Sequence, residues 1–118
     1  MIDEALQAVL RELRGVETVL LTGTDGVIVA ASGSGSGLSA EAVAAAFADL
    51  LRKTGGAHRE AGLPAPQELT AGSPGRRVVV RAVTDEYFLL AILGETGIVG
   101  QARHALSQAA ARLEPELI

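Results

Sequence analysis

The chain has 118 residues, enough for one domain around one hydrophobic core, so residues 1–118 are read as a single domain. Its net charge is −4, with only 10 lysines and arginines and no basic stripe interleaved with aromatics, so binding to nucleic acid through phosphate neutralisation is not expected. Cysteine is absent, which excludes disulfides, thiolate nucleophiles and thiolate metal sites. The first residues, Met1-Ile2-Asp3-Glu4, lack the positive and apolar regions of a secretory leader. The longest apolar run, Tyr87 to Leu93, falls short of the ~18 residues that read as a membrane span. A cytoplasmic location without membrane insertion is therefore expected.

Residues 2–13 carry Ile2, Ala5, Leu6, Val9, Leu10 and Leu13 at the spacing of an amphipathic helix, and Gly15 follows as a stop. Val16 to Leu21 and Val27 to Ala31 read as strands joined by the turn Thr24-Asp25-Gly26, a hairpin. Ser32 to Gly37 alternates serine and glycine and reads as a flexible connection. Ser39 is a good N-cap for a long helix to about Arg59, although Gly55-Gly56 is expected to end or fray it. Gln67 to Ala71, after Pro64 and Pro66, reads as a short edge strand. Ser73-Pro74-Gly75 turns the chain into a strand from Arg77 to Val83, and Thr84-Asp85-Glu86 turns it again. Tyr87 to Leu93 has no polar alternation and suits a strand covered on both faces. Ile98, Ala102, Ala105, Leu106, Ala109 and Leu113 have helical spacing, with Thr96 as the expected cap and Pro115 as the expected end. The order is α-β-β-α-β-β-β-α, an α/β sandwich whose hairpin connections imply a mainly antiparallel sheet.

The long helix is apolar nearly all round, reading Ala-Val-Ala-Ala-Ala-Phe-Ala over 42–48. Such a helix is buried on more than one side. Val43, Phe47 and Leu50 share a face and are expected on the sheet. Ala45 and Ala48, flanked by Ala44 and Leu51, are expected against a second copy of the chain in a two-fold homodimer.

This order resembles the roadblock/dynein light chain family. The resemblance is carried by the leading helix, Gly15-Val16, Asp25-Gly26-Val27-Ile28-Val29-Ala30, the Ala-rich helix, Leu89-Leu90-Ala91-Ile92-Leu93 and Gly97-Ile98-Val99-Gly100-Gln101-Ala102-Arg103. It implies a five-stranded sheet with the long helix on one face, both terminal helices on the other, and the last strand at the centre. It also implies dimerisation through the long helix and the following edge strand, which adds Leu69 to the expected interface. The implied role is a non-enzymatic adaptor or regulator of a small Ras-like GTPase, as in the bacterial gliding-motility branch. Asp49, Arg52 and Lys53 are the candidate partner contacts. A small-molecule sensor with a pocket between sheet and helix, and a structural scaffold for another partner, are the competing readings.

No catalytic constellation stands out. Gly33-Ser34-Gly35-Ser36-Gly37 lacks the Lys-Ser/Thr that a phosphate loop requires. Glu95 opposes an anion at the start of the last helix. His58 and His104 have no neighbour at metal-ligand spacing, and no metal or cofactor is expected. Arg76, Arg77 and Arg81 read as the solvated face of a strand, or as a contact for an acidic partner.

Overall fold

A computed structural model describes residues 1–33 and 37–118. Its elements are α1 (Ile2–Glu12), β1 (Val16–Gly23), β2 (Ile28–Gly33), α2 (Ala40–Ala61), β3 (Glu68–Ser73), β4 (Arg76–Ala82), β5 (Tyr87–Leu93) and α3 (Val99–Leu117). The strands lie in the order β2-β1-β5-β4-β3, with every neighbouring pair antiparallel. The expected fold class is therefore the observed one. The Gly33–Gly37 segment, read as a connector rather than a phosphate loop, falls mainly on residues 34–36, outside the described residues.

The uniformly apolar sequence of β5 follows from its central place. Side chains alternate across a strand, so a strand covered on both faces needs apolar residues at every position. Leu89, Ala91 and Leu93 enter the core under α1 and α3, with Leu6, Val9, Leu106 and Leu113. Phe88, Leu90 and Ile92 enter the core under α2, with Leu20 and Val80. One helix thus covers one face and the two terminal helices cover the other.

The turns form by the local chemistry of their residues. Asp25 Oδ1 accepts from Val27 N–H at 3.0 Å, and Gly26 takes the positive φ of 89° that closes the β1–β2 hairpin. Ser39 caps α2 by accepting from Ala42 N–H at 3.2 Å. Three expectations need correction. First, α2 runs through Gly55-Gly56 to Ala61. It ends at Gly62 (φ 74°), where Gly62 N–H donates to the Arg59 carbonyl and Leu63 N–H to the His58 carbonyl. Second, Pro115 lies inside α3, near its end. The carbonyl that loses a donor to this proline is that of Ala111, an exposed residue, so water can replace the lost bond. Third, Thr96 does not cap α3: the N-cap is Ile98, with no side-chain cap bond.

The loop before α3 is held instead by close packing and an arginine. Gly15 (φ 73°) lies so near Gly97 that a Cβ there would collide with the Gly97 main chain. On β4, Arg77 Nη2 donates to the carbonyls of Gly97 and Gly94.

Candidate interaction surface

The placement of α2 follows from its smallest side chains. Ala44 and Ala48, one turn apart, face the sheet at 0% and 1% exposure. Their small size lets the helix lie close over Leu20, Phe88 and Leu90. Val43, Phe47 and Leu51 are half-buried along the flanks of that contact. Leu50, expected on the sheet, is 42% exposed. Ala44 and Ala48, expected against a second chain, are instead enclosed by their own. Ala45 is exposed and sits beside the β1–β2 turn, where a Cβ on Gly26 would lie 3.3 Å from its Cα. Leu51 and Leu69 are half-buried against the same core cluster.

The sequence missed which face of α2 carries exposed apolar surface. Val43, Ala46, Phe47 and Leu50 follow i, i+3, i+4, i+7 spacing and form one stripe. Beside it, Val43 and Phe47 form one wall of a groove of about 730 Å³, with Ala71 of β3 and Val78 of β4 on its far side. The adjoining β3 is an edge strand: among the described residues β4 is its one neighbour, so one side of its main chain has no ladder partner there. An apolar helix stripe next to an open strand edge can be covered by another chain with both side-chain packing and main-chain hydrogen bonds.

Asp49, Arg52 and Lys53 are brought together, as their spacing on a helix requires. Lys53 Nζ lies 2.9 Å from Asp49 Oδ2, and Arg52 Nη2 lies 3.3 Å from Oδ1. The hydrogen bond from Lys53, with its positive charge, holds the Asp49 carboxyl below the usual carboxylate range, and Arg52 adds to this. Arg52 also donates through Nη1 to the Thr24 carbonyl, tying α2 to the β1–β2 turn. Helical spacing puts Lys53 one turn beyond Leu50 and Asp49 one turn beyond Ala46, so these two border the apolar stripe, whereas Arg52 lies on the far side of the helix.

The strand arginines have three separate fates. Arg76 Nε lies 3.3 Å from Glu17 Oε2. Arg77 clasps the β5–α3 loop as described above. The Nε of Arg81 is buried without a hydrogen-bond partner among the described residues. A fourth arginine, unmarked in the sequence, joins β3 to α3: Arg103 donates from Nε and Nη2 to Glu68 Oε2 and Oε1, at 2.7 and 2.8 Å. This pair holds Glu68 below and Arg103 above their ordinary ionisation ranges.

His58 Nδ1 lies 2.9 Å from the Pro64 carbonyl, and His104 is exposed. Among the described residues, no three His, Asp or Glu side chains gather in a way that could hold a metal ion. No described helix is long and apolar enough to cross a membrane.

No protein-family model and no curated protein matches the chain. Solved structures do. Myxococcus xanthus MglB superposes with a TM-score of 0.89 at 15% identity, covering 98% of this chain and 94% of that one. The gliding protein MglB of Thermus thermophilus gives 0.87 at 20% identity, over 97% and 86%. A Roadblock/LC7 domain from Streptomyces avermitilis gives 0.88 at 15% identity, over 98% and 96%. Over nearly its whole length, the chain has the roadblock fold.

Proposed function

We propose that this chain is a non-enzymatic, homodimeric regulator that binds a small Ras-like GTPase. The observation that carries the reading is the apolar stripe of Val43, Ala46, Phe47 and Leu50 lying beside the open edge of β3, on a roadblock fold. A two-fold axis beside β3 would pack α2 against α2 and bring the two β3 edges together antiparallel, so that the same patch serves both copies. Leu51 and Leu69 border this contact. Ala44 and Ala48 support it from beneath by seating the helix.

The charged residues beside the stripe would then lie at the rim of the dimer contact in both copies. Asp49, Arg52 and Lys53 are proposed to contact the GTPase there. Such a surface regulates by binding one conformation of the switch segments better than the other, which shifts their populations. Any acceleration of GTP hydrolysis would come from positioning the GTPase's own residues and water.

The test uses the full chain and a small Ras-like GTPase encoded in the same genome. Light scattering should give twice the monomer mass at micromolar concentration. Binding should differ between GDP- and GTP-loaded GTPase, and Asp49→Lys with Lys53→Glu should weaken it while leaving the dimer intact. A monomer would refute the dimer, and equal absence of binding in both nucleotide states would refute the GTPase assignment.

A further inference from the structure

The hydrogen bonding of β3 to β4 decides which main-chain groups its open edge presents. Ala82 N–H donates to the Gln67 carbonyl at 2.8 Å, so these residues form a hydrogen-bonded pair of the antiparallel ladder. Such pairs alternate along a ladder. The two strands match residue for residue from Glu68 opposite Arg81 to Ser73 opposite Arg76, so Leu69, Ala71 and Ser73 turn their main-chain groups inward to β4. Those of Glu68, Thr70 and Gly72 therefore turn outward. The side chains are sorted by the same alternation. Leu69 packs on the core beneath α2, and Ala71 lines the groove beside it. Glu68 meets Arg103 of α3 on the opposite face, which Thr70 and Gly72 share.

Gly72 supplies a second observation. It lies inside a regular strand without left-handed backbone. A Cβ built on it meets, among the described residues, only the Arg77 side chain, at an ordinary 3.7 Å. The single chain thus has room for a side chain at this position and makes no use of glycine's conformational freedom. Glycine within a strand otherwise marks a close approach by another backbone.

We propose that two copies pair through β3 with Thr70 on the two-fold axis, opposite itself. This rests on the reading above that a second copy covers this edge, and it fixes the alignment of that contact. An antiparallel union of two such edges places outward residues opposite outward residues. Centring on Thr70 sets Glu68 opposite Gly72 of the second copy, and Gly72 opposite its Glu68, so every outward N–H and C=O of the strand is paired. Centring on Leu69 sets Gly72 opposite Pro66, and centring on Ala71 sets Glu68 opposite Pro74, and a proline has no N–H to give. Charge and size agree with the Thr70 register. Glu68, the one charged residue of the strand, meets a glycine, which leaves room for its side chain together with Arg103. On the other face Leu69 sits against Ala71 of the second copy, large against small, beneath the two apolar stripes.

The chain has no cysteine, so single introduced cysteines report the register. Residues opposite each other in a hydrogen-bonded pair have Cα atoms about 5.5 Å apart, within the ~4.4–6.8 Å that a disulfide spans, whereas diagonal neighbours lie roughly 7–8 Å apart. Thr70→Cys should cross-link to itself under mild oxidation, read on a non-reducing gel. Leu69→Cys alone and Ala71→Cys alone should not, whereas a mixture of the two should. Gly72→Val should leave the circular dichroism spectrum unchanged and weaken dimerisation roughly tenfold or more in sedimentation velocity, as overfilling a close contact does. Hydrogen exchange of the wild-type chain should find the Thr70 and Gly72 amides protected along with those of Leu69 and Ala71. Should a variant fail to fold, this exchange pattern decides. Self-cross-linking by Leu69→Cys or Ala71→Cys, a Thr70→Cys dimer that does not cross-link, freely exchanging Thr70 and Gly72 amides in a wild-type dimer, or undiminished dimerisation of folded Gly72→Val overturns the register and leaves the dimer standing. A monomeric wild-type chain overturns the dimer itself and the register with it.

Discussion

Two substitutions on neighbouring turns of α2 should have opposite kinds of effect. Ala48 is 1% exposed and sits against the sheet, whereas Leu50 is 42% exposed on the apolar stripe. Ala48→Glu would force a carboxylate into a methyl-sized space among Leu20, Phe88 and Leu90. An unpaired buried charge costs about 3–5 kcal/mol, a large part of the total stability of a small domain. Leu50→Glu faces water in the single chain and should change its stability by no more than about 0.5 kcal/mol. In the proposed two-fold dimer it would count twice, because Leu50 would enter the contact from both sides. At about 1.5 kcal/mol per copy, association should weaken by about 3 kcal/mol, or roughly a hundredfold. Urea denaturation read by circular dichroism measures the first effect, and sedimentation velocity over a concentration series measures the second. A Leu50→Glu chain that dimerises like the wild type would refute the assignment of the stripe. An Ala48→Glu chain that is fully folded but monomeric would refute the assignment of the sheet face.

Other consequences concern stability alone. Gly55→Ala and Gly56→Ala should each stabilise the chain by up to about 1 kcal/mol, because both positions are helical and neither new Cβ would clash. For a chain of this size, each should raise the thermal midpoint by about 4 °C in calorimetry, and a fall would refute the reading. Gly15→Ala should destabilise by about 2–5 kcal/mol, combining a left-handed backbone with collision against Gly97, as measured by urea unfolding. The Glu68–Arg103 pair should act through pH. The hydrogen bonds from Arg103 depress the Glu68 ionisation in the folded chain, so its contribution is fully present above the ordinary glutamate range. That contribution is lost as pH falls through the depressed value. Glu68→Gln should therefore lower stability near neutrality by at most about 1 kcal/mol, since the pair is partly exposed, and the difference from wild type should vanish in strong acid. A difference that grows toward acid would contradict this sign.

Much of the architecture is legible because it depends on local pattern. Seven residues without polar alternation placed β5 at the centre, and Asp25-Gly26 and Ser39 announced their turn and cap. The faces of α2 were harder to read. Alanine fits either a tight internal contact or an exposed helix surface: Val43 and Phe47 do flank the sheet contact as expected, but its centre belongs to Ala44 and Ala48, and Leu50 lies outside it. Distance between helix and sheet decides that question, and distance is a tertiary property. Gly55-Gly56 failed as a stop signal because the Gly62 cap and the His58–Pro64 contact secure the helix beyond it. The charged contacts were the least legible. Arg77, Arg81 and Arg103 look alike in sequence. One clasps a loop, one keeps a buried Nε without an acceptor among the described residues and one holds Glu68, according to which acceptors the fold brings within reach.

The irregularity opposite β1 bears on where assembly stops. Leu21 pairs with Ala30 and Thr22 with Ile28, so Val29 is an extra residue bulged out of β2. The sheet has one regular border, at β3, and one irregular border, at β2. If two copies join through β3, both regular borders are used up, and the strands left outermost are the irregular ones. A bulged edge is a poor template for a further strand. The chain would thus limit its own growth: the border suited to pairing is consumed in the first union, and the remaining one resists propagation into a filament.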